Sequence, residues 1–76
     1  MTDPYEDLAI AIVAQAVKDW RDAVKELKKW PREGDSRAVK RECEEFFLSD
    51  WFGRLTGMDG GYILRKLKEE AYNNDG

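Results

Sequence analysis

The sequence has no histidine and a single cysteine, Cys43, and these two scarcities remove most familiar catalytic equipment. Without an imidazole there is no Ser-His-Asp or Cys-His relay and none of the usual zinc shells. A lone thiol cannot close an intrachain disulfide, so a stapled secreted scaffold is excluded and a reducing cytoplasm is the expected home. Between Glu42 and Glu44 a thiolate is disfavoured, so Cys43 reads as a small core residue and not as a nucleophile. Glycines at 34, 53, 57, 60, 61 and 76 compose no phosphate-loop or dinucleotide signature, and no Asp-x-Asp-x-Asp-Gly calcium loop occurs. The expectation is a protein that is not an enzyme, with no cofactor and no metal centre; the 16 acidic residues leave a carboxylate-only metal site as the one open alternative. The longest apolar run is seven residues, far short of the roughly 20 that a membrane span needs. The first residues carry no basic stretch of the secretory type, so no signal and no membrane association are expected.

What is present suits one small domain covering residues 1–76. The chain is 42% apolar with three Trp, three Tyr and three Phe, too rich to be disordered by composition despite its 38% charged residues. No segment alternates with period two, so no strand is expected. Asp3-Pro4-Tyr5-Glu6 has the form of a capped helix start, with Glu6 three residues after the cap. From there Tyr5, Leu8, Ile12 and Ala16, with Ala9, Val13, Val17 and Trp20 alongside, recur at steps of three and four, the pattern of one helical face. Pro31 ends the run, because the residue before a proline is driven from helical angles. The spacing predicts a long helix over 4–29, a second over 36–48 capped by Asp35 or Ser36, and a short one over 50–56 capped by Ser49. A last helix over 60–72 is capped by Asp59, and the tail beyond it frays. The expected class is all-α: a small helical bundle with one long N-terminal helix and two or three shorter ones. The core is expected to draw on Phe47, Phe52, Leu55 and Leu64, and the inner face of the second helix on Val39, Cys43, Phe46 and Phe47.

The long helix is large for its body. Its 26 residues extend about 39 Å, whereas a compact monomer of this length has a radius of gyration of about 11 Å. Its first half is apolar nearly all round, since Leu8-Ala9-Ile10-Ala11-Ile12-Val13-Ala14 has no polar member. A helix apolar on every side is normally covered on every side. A homo-oligomer meeting through Leu8, Ile10, Ile12 and Val13 is the expected solution, although the alanines also suit plain helix propensity.

Charge is segregated along the chain. Lys18, Arg21, Lys25, Lys28 and Arg32 form a basic stripe on the second half of the long helix, extended by Arg37, Lys40 and Arg41; Glu42, Glu44, Glu45 and Asp50 then reverse the sign. The stripe has two readings, a site for an anionic partner and a solvated surface with neighbouring opposite charges. A sequence pI near 4.9 argues against a duplex-binding protein.

Four aromatics fall within seven residues, Phe46, Phe47, Trp51 and Phe52, followed by a glycine-rich corner and Tyr62. As a folding element, Ser49 caps the short helix, Trp51 and Phe52 turn it onto the long helix, and Gly60 lets another backbone come close. As a binding element, Trp51, Arg54, Asp59, Gly60, Tyr62 and Arg65 border a contact surface, with the amides of Gly60 and Gly61 as donors to an anion that Asp59 would oppose. The pattern Glu42-Cys43, Phe46-Phe47, Ser49, Trp51-Phe52, Leu55-Thr56, Asp59-Gly60 resembles small, mostly uncharacterised helical proteins encoded by phages and prophages of Gram-positive bacteria. Gln15 to Arg21 is also similar, and the likeness spans about two thirds of the chain. The resemblance implies viral origin and action inside a bacterial host, in the cytoplasm, and it implies no chemistry. The functional expectation is a non-enzymatic interaction protein that binds a host protein or sequesters a small anionic host signal, and so counteracts a bacterial defence. The alternative is a nucleic-acid-associated accessory factor in phage replication or transcription, resting on the basic stripe and predicting salt-sensitive binding.

Overall fold

Helix-forming residues at three- and four-residue spacing, interrupted at Pro31, Ser49 and Gly57, fold into four helices. A computed structural model describes the backbone of residues 4–73 and the side chains of residues 8–72. In order, α1 spans Pro4–Lys29, α2 Gly34–Leu48, α3 Asp50–Thr56 and α4 Gly60–Asn73. The chain is an all-helical bundle built on a long N-terminal helix, as the periodicity predicts, and no strand occurs among the described residues. The capping box at Asp3 and Glu6, the apolar contact of Tyr5 and the tail 74–76 lie outside the described residues.

The helix boundaries follow local chemistry. Helix α1 closes with Lys28 and Lys29 in its last turn, where cations suit the carbonyl end, and the amide of Trp30 still donates to Glu26 at 2.8 Å. Helix α2 starts two residues earlier than its sequence suggests. Its cap is Glu33 and not Asp35 or Ser36: the Glu33 carboxylate accepts from the amide of Asp35 at 3.1 Å, and its carbonyl accepts from Arg37 at 3.1 Å. Gly34 is the first helical residue, and Asp35 then lies in the first turn as favourable negative charge. Helix α4 runs one residue further than expected, to Asn73.

The core is one cluster. Ala16, Trp20 and Val24 of α1 meet Cys43 and Phe47 of α2, Phe52 of α3, and Leu64 and Leu67 of α4. Buried alanines at 9, 16 and 23 share the inner face of α1 with Trp20 and Val24, and α2 packs along α1 more extensively than any other pair of helices packs. Trp20, Phe47 and Phe52 are fully buried; each phenylalanine contributes about 2 to 3 kcal/mol by leaving water. The Phe47 and Phe52 rings meet edge to face at 5.4 Å, as aromatic quadrupoles prefer. Two core expectations are corrected. Leu55 is only half-buried and is not part of the core cluster, and Val39 is exposed on α2.

The bundle measures 43 × 25 × 22 Å, with a radius of gyration of 13.4 Å, well above the roughly 11 Å of a compact chain of this length. Near the start of α1, Ala9 is buried while Leu8 is 54% and Ile10 65% exposed. Among the described residues no helix is long and apolar enough to cross a membrane.

Candidate functional site

Three local devices build the corner where α2, α3 and α4 meet. Ser49 is the first: its hydroxyl donates to the carbonyl of Phe46 at 2.7 Å and accepts from the amide of Phe52 at 3.2 Å, closing α2 and opening α3 with one side chain. Gly57 is the second. It holds a left-handed φ of 70° and donates its amide to Gly53 at 2.8 Å, ending α3 in a conformation that other residues resist. Beside it Thr56 donates to Phe52 at 2.8 Å and accepts from Met58 at 3.0 Å. Asp59 is the third, its carboxylate accepting from the amide of Tyr62 at 3.1 Å to cap α4. These devices bring the start of α4 against the end of α2 at Gly60, where an added Cβ would stand 1.7 Å from the carbonyl oxygen of Phe47. Only glycine fits there.

The corner encloses an open groove of about 700 Å³ lined by Leu48, Asp50, Arg54, Met58 and Asp59 over the backbone of Gly53, Gly60 and Gly61. The structure therefore gathers Arg54, Asp59 and Gly60 at one groove, and adds two apolar residues that sequence reasoning missed, Leu48 and Met58, 64% and 50% exposed. Tyr62 and Arg65 are outside it, on the exposed side of α4, where the Arg65 guanidinium lies 5.4 Å and the Lys66 ammonium 5.6 Å from the Tyr62 ring centre. Trp51 is on the other side of α3. It is 58% exposed and packs at 5.6 Å on the ring of Phe46, whereas Phe52 is the α3 residue that enters the core. Phe46 in turn lines a shallow apolar groove with Ile12, Ala16 and Cys43. Among the glycine amides, Gly60 is buried, and the Asp59 carboxylate already occupies the mouth of α4. An incoming anion would meet that negative charge first.

The basic stripe is largely engaged within the molecule. Lys18 pairs with Asp22 at 2.8 Å, Arg21 with Glu70 at 2.9 Å, and Lys28 donates to the carbonyl of Ala71 and lies 5.8 Å from the Tyr72 ring. The bond to Asp22 raises the Lys18 ammonium above its usual value. Arg21, Lys25, Lys28 and Glu70 line one groove of about 200 Å³ between α1 and α4. Lys40 belongs to a different arrangement, one that no local signal reveals. It pairs at 2.8 Å with Glu44, whose carboxylate also accepts from the indole N–H of buried Trp20 at 3.0 Å. Burial pushes the Glu44 carboxyl up, but the bonds from Lys40 and Trp20 and the charges of Lys40 and Lys68 outweigh it and hold it below its usual range. Burial is also the main cause that raises the Cys43 thiol, helped by Asp19, Glu42 and Glu44.

The four residues expected at an oligomer contact divide. Leu8 and Ile10 are exposed, whereas Ile12 is half-buried beside Phe46 and Val13 packs against the core. Among the described residues no group of three or more Cys, Asp or Glu side chains is placed to hold a metal ion. No protein-family model, curated protein or solved structure matches the chain.

Proposed function

We propose that this chain is a small phage-encoded interaction protein that works by stoichiometric binding of a host protein inside the bacterial cell, and so blunts a host defence. The observation that carries the reading is the exposure of Leu48 and Met58 around Arg54 at a corner whose backbone is locked by Ser49, Gly57 and Asp59, with Trp51 exposed on the other side of the same short helix. Exposed tryptophan and arginine side chains are the usual anchors of a protein contact. A pre-set backbone lowers the ordering cost of binding. The reading favours a protein over a small anionic signal, because Asp59 stands where such an anion would sit. Viral origin rests on the likeness of the Glu42 to Gly60 segment. The nucleic-acid alternative is weakened by the engagement of Lys18 and Arg21 with carboxylates of the same chain.

The test is capture from host lysate with the wild-type chain and with Trp51→Asp and Arg54→Glu, each first shown to keep its helical content. One host protein retained near equal stoichiometry by the wild type and lost by both variants supports the reading. Equal retention by all three, or recovery of no host protein, overturns it.

A further inference from the structure

We propose that the groove along the seam of α1 and α2 seats a cationic amphipathic helix of another protein. The apolar turns of that helix lie against Ile12 and Phe46, and its lysine or arginine side chains lie between the carboxylates further along. Two cavities make up the groove, one of about 290 Å³ and one of about 370 Å³, and they meet at Asp19. No residue of α3 or α4 lines either of them. From Ile12 to Glu26 the α1 wall runs about 21 Å, the length of a helical segment of about 14 residues.

The two ends differ in chemistry. Buried Ala16 and Cys43, with half-buried Ile12 and Phe46, give the first cavity an apolar floor. Carboxylates take over from there: Asp19 and Glu42 border the first cavity, and Asp19, Asp22, Glu26, Glu33 and Asp35 border the second. No lysine or arginine lines either cavity, although the chain has 13. Among the described residues, Asp22 alone of these acids is in an ion pair, with Lys18. Asp19 accepts from the neutral amide of Gln15, and Glu33 from a backbone amide. The side chains of Glu26, Asp35 and Glu42 have no partner among the described residues. The negative field reaches the floor: burial raises the Cys43 thiol, and Asp19 and Glu42 beside it raise it further.

This layout selects the occupant. The carboxylates are strung along the groove, and among the described residues no three of them gather to hold a metal ion. They suit a row of cations borne on a chain. The apolar end calls for apolar turns on that chain, which a purely charged polyamine lacks. Two helices offer no free backbone edge to an extended strand, whereas a third helix can lie between them with its apolar residues at steps of three and four. Nucleic acid would be repelled. The inference uses neither Trp51 nor Arg54, so it stands or falls apart from the host-binding reading at the α3–α4 corner.

The test is fluorescence anisotropy of a labelled helical peptide of about 14 residues, titrated with the full chain. The peptide carries Leu at steps of three and four in one half and Lys in the other. One control peptide has every Lys replaced by Glu, and a second has every Leu replaced by Ala, which keeps the helix. The expected result is saturable binding of the Leu/Lys peptide, weakened by added salt, with each control bound about tenfold or more weakly. Glu26→Lys and Glu42→Lys should each weaken binding about fivefold. Glu69→Lys, the same change of charge on α4, should leave it within about twofold. All three side chains are exposed, so helical content by circular dichroism should be unchanged; the peptide comparison decides the matter for any variant that loses helix. Absence of binding, equal loss in all three variants, or undiminished binding of either control peptide overturns the inference. So does a chain whose mass doubles in sedimentation and returns to single mass with Glu42→Lys, which makes a second copy the occupant.

Discussion

The indole N–H of Trp20 donates to the carboxylate of Glu44 at 3.0 Å, which joins the middle of α1 to the middle of α2 through the only polar atom of the largest buried side chain. Lys40 holds the same carboxylate at 2.8 Å from one turn earlier on α2. The buried indole thus reaches a partly exposed ion pair at the edge of the core.

Removing the acceptor should be felt. Glu44→Ala leaves the Trp20 N–H without its partner, at an expected cost of about 1 to 3 kcal/mol, whereas Glu45→Ala on the exposed side of the same helix should stay within about 0.5 kcal/mol. Because the folded-state value of Glu44 lies below its unfolded one, its contribution is fully present above the unfolded carboxylate value and is lost as pH falls through the folded one. Urea midpoints measured across the acid range should therefore fall more steeply for the wild type than for Glu44→Gln.

Two glycines should respond in opposite directions. At Gly60 a methyl group would overlap the Phe47 carbonyl, a backbone atom that cannot swing aside, so Gly60→Ala should destabilise by about 3 kcal/mol or more through displacement of α4. Gly53 lies inside α3 with open space where a Cβ would be, and Gly53→Ala should stabilise by about 0.5 to 1 kcal/mol. Thermal unfolding of the two proteins, side by side, checks both signs.

Cys43 should be a slow thiol. It is buried and its thiol is raised by burial and by Asp19, Glu42 and Glu44, so the reactive thiolate is scarce at neutral pH. Alkylation by iodoacetamide, followed by mass, should be far slower in the native protein than in urea, and slower than for a free cysteine at the same pH.

The elements legible in the sequence are those whose causes are local. Ser49 and Asp59 can be assigned their capping roles from neighbours three positions away, and the structure bears both out; Gly60 is legible as a point of close approach, but its partner, the Phe47 backbone, is not. The start of α2 is less legible, because acceptor side chains stand at Glu33, Asp35 and Ser36 within four positions, and the structure uses the first of them as the cap. The partners of Trp20, Arg21 and Lys40 were out of reach for a different reason. Glu44 is 24 positions from Trp20 and Glu70 is 49 from Arg21, so those pairings exist only once the helices are packed. The same limit divided the apolar first half of α1: periodicity marks Leu8 to Val13 as greasy, but only the placement of α2 and α4 turns Ile12 and Val13 inward and leaves Leu8 and Ile10 outside.

The stapled elbows at Ser49, Thr56 and Asp59 bear on the order in which the chain folds. Each closes over partners no more than four positions away, so little loop entropy opposes it. The second half of the chain can therefore acquire its shape ahead of the long-range docking that buries Trp20, and assembly of the whole belongs among the rapid helical cases.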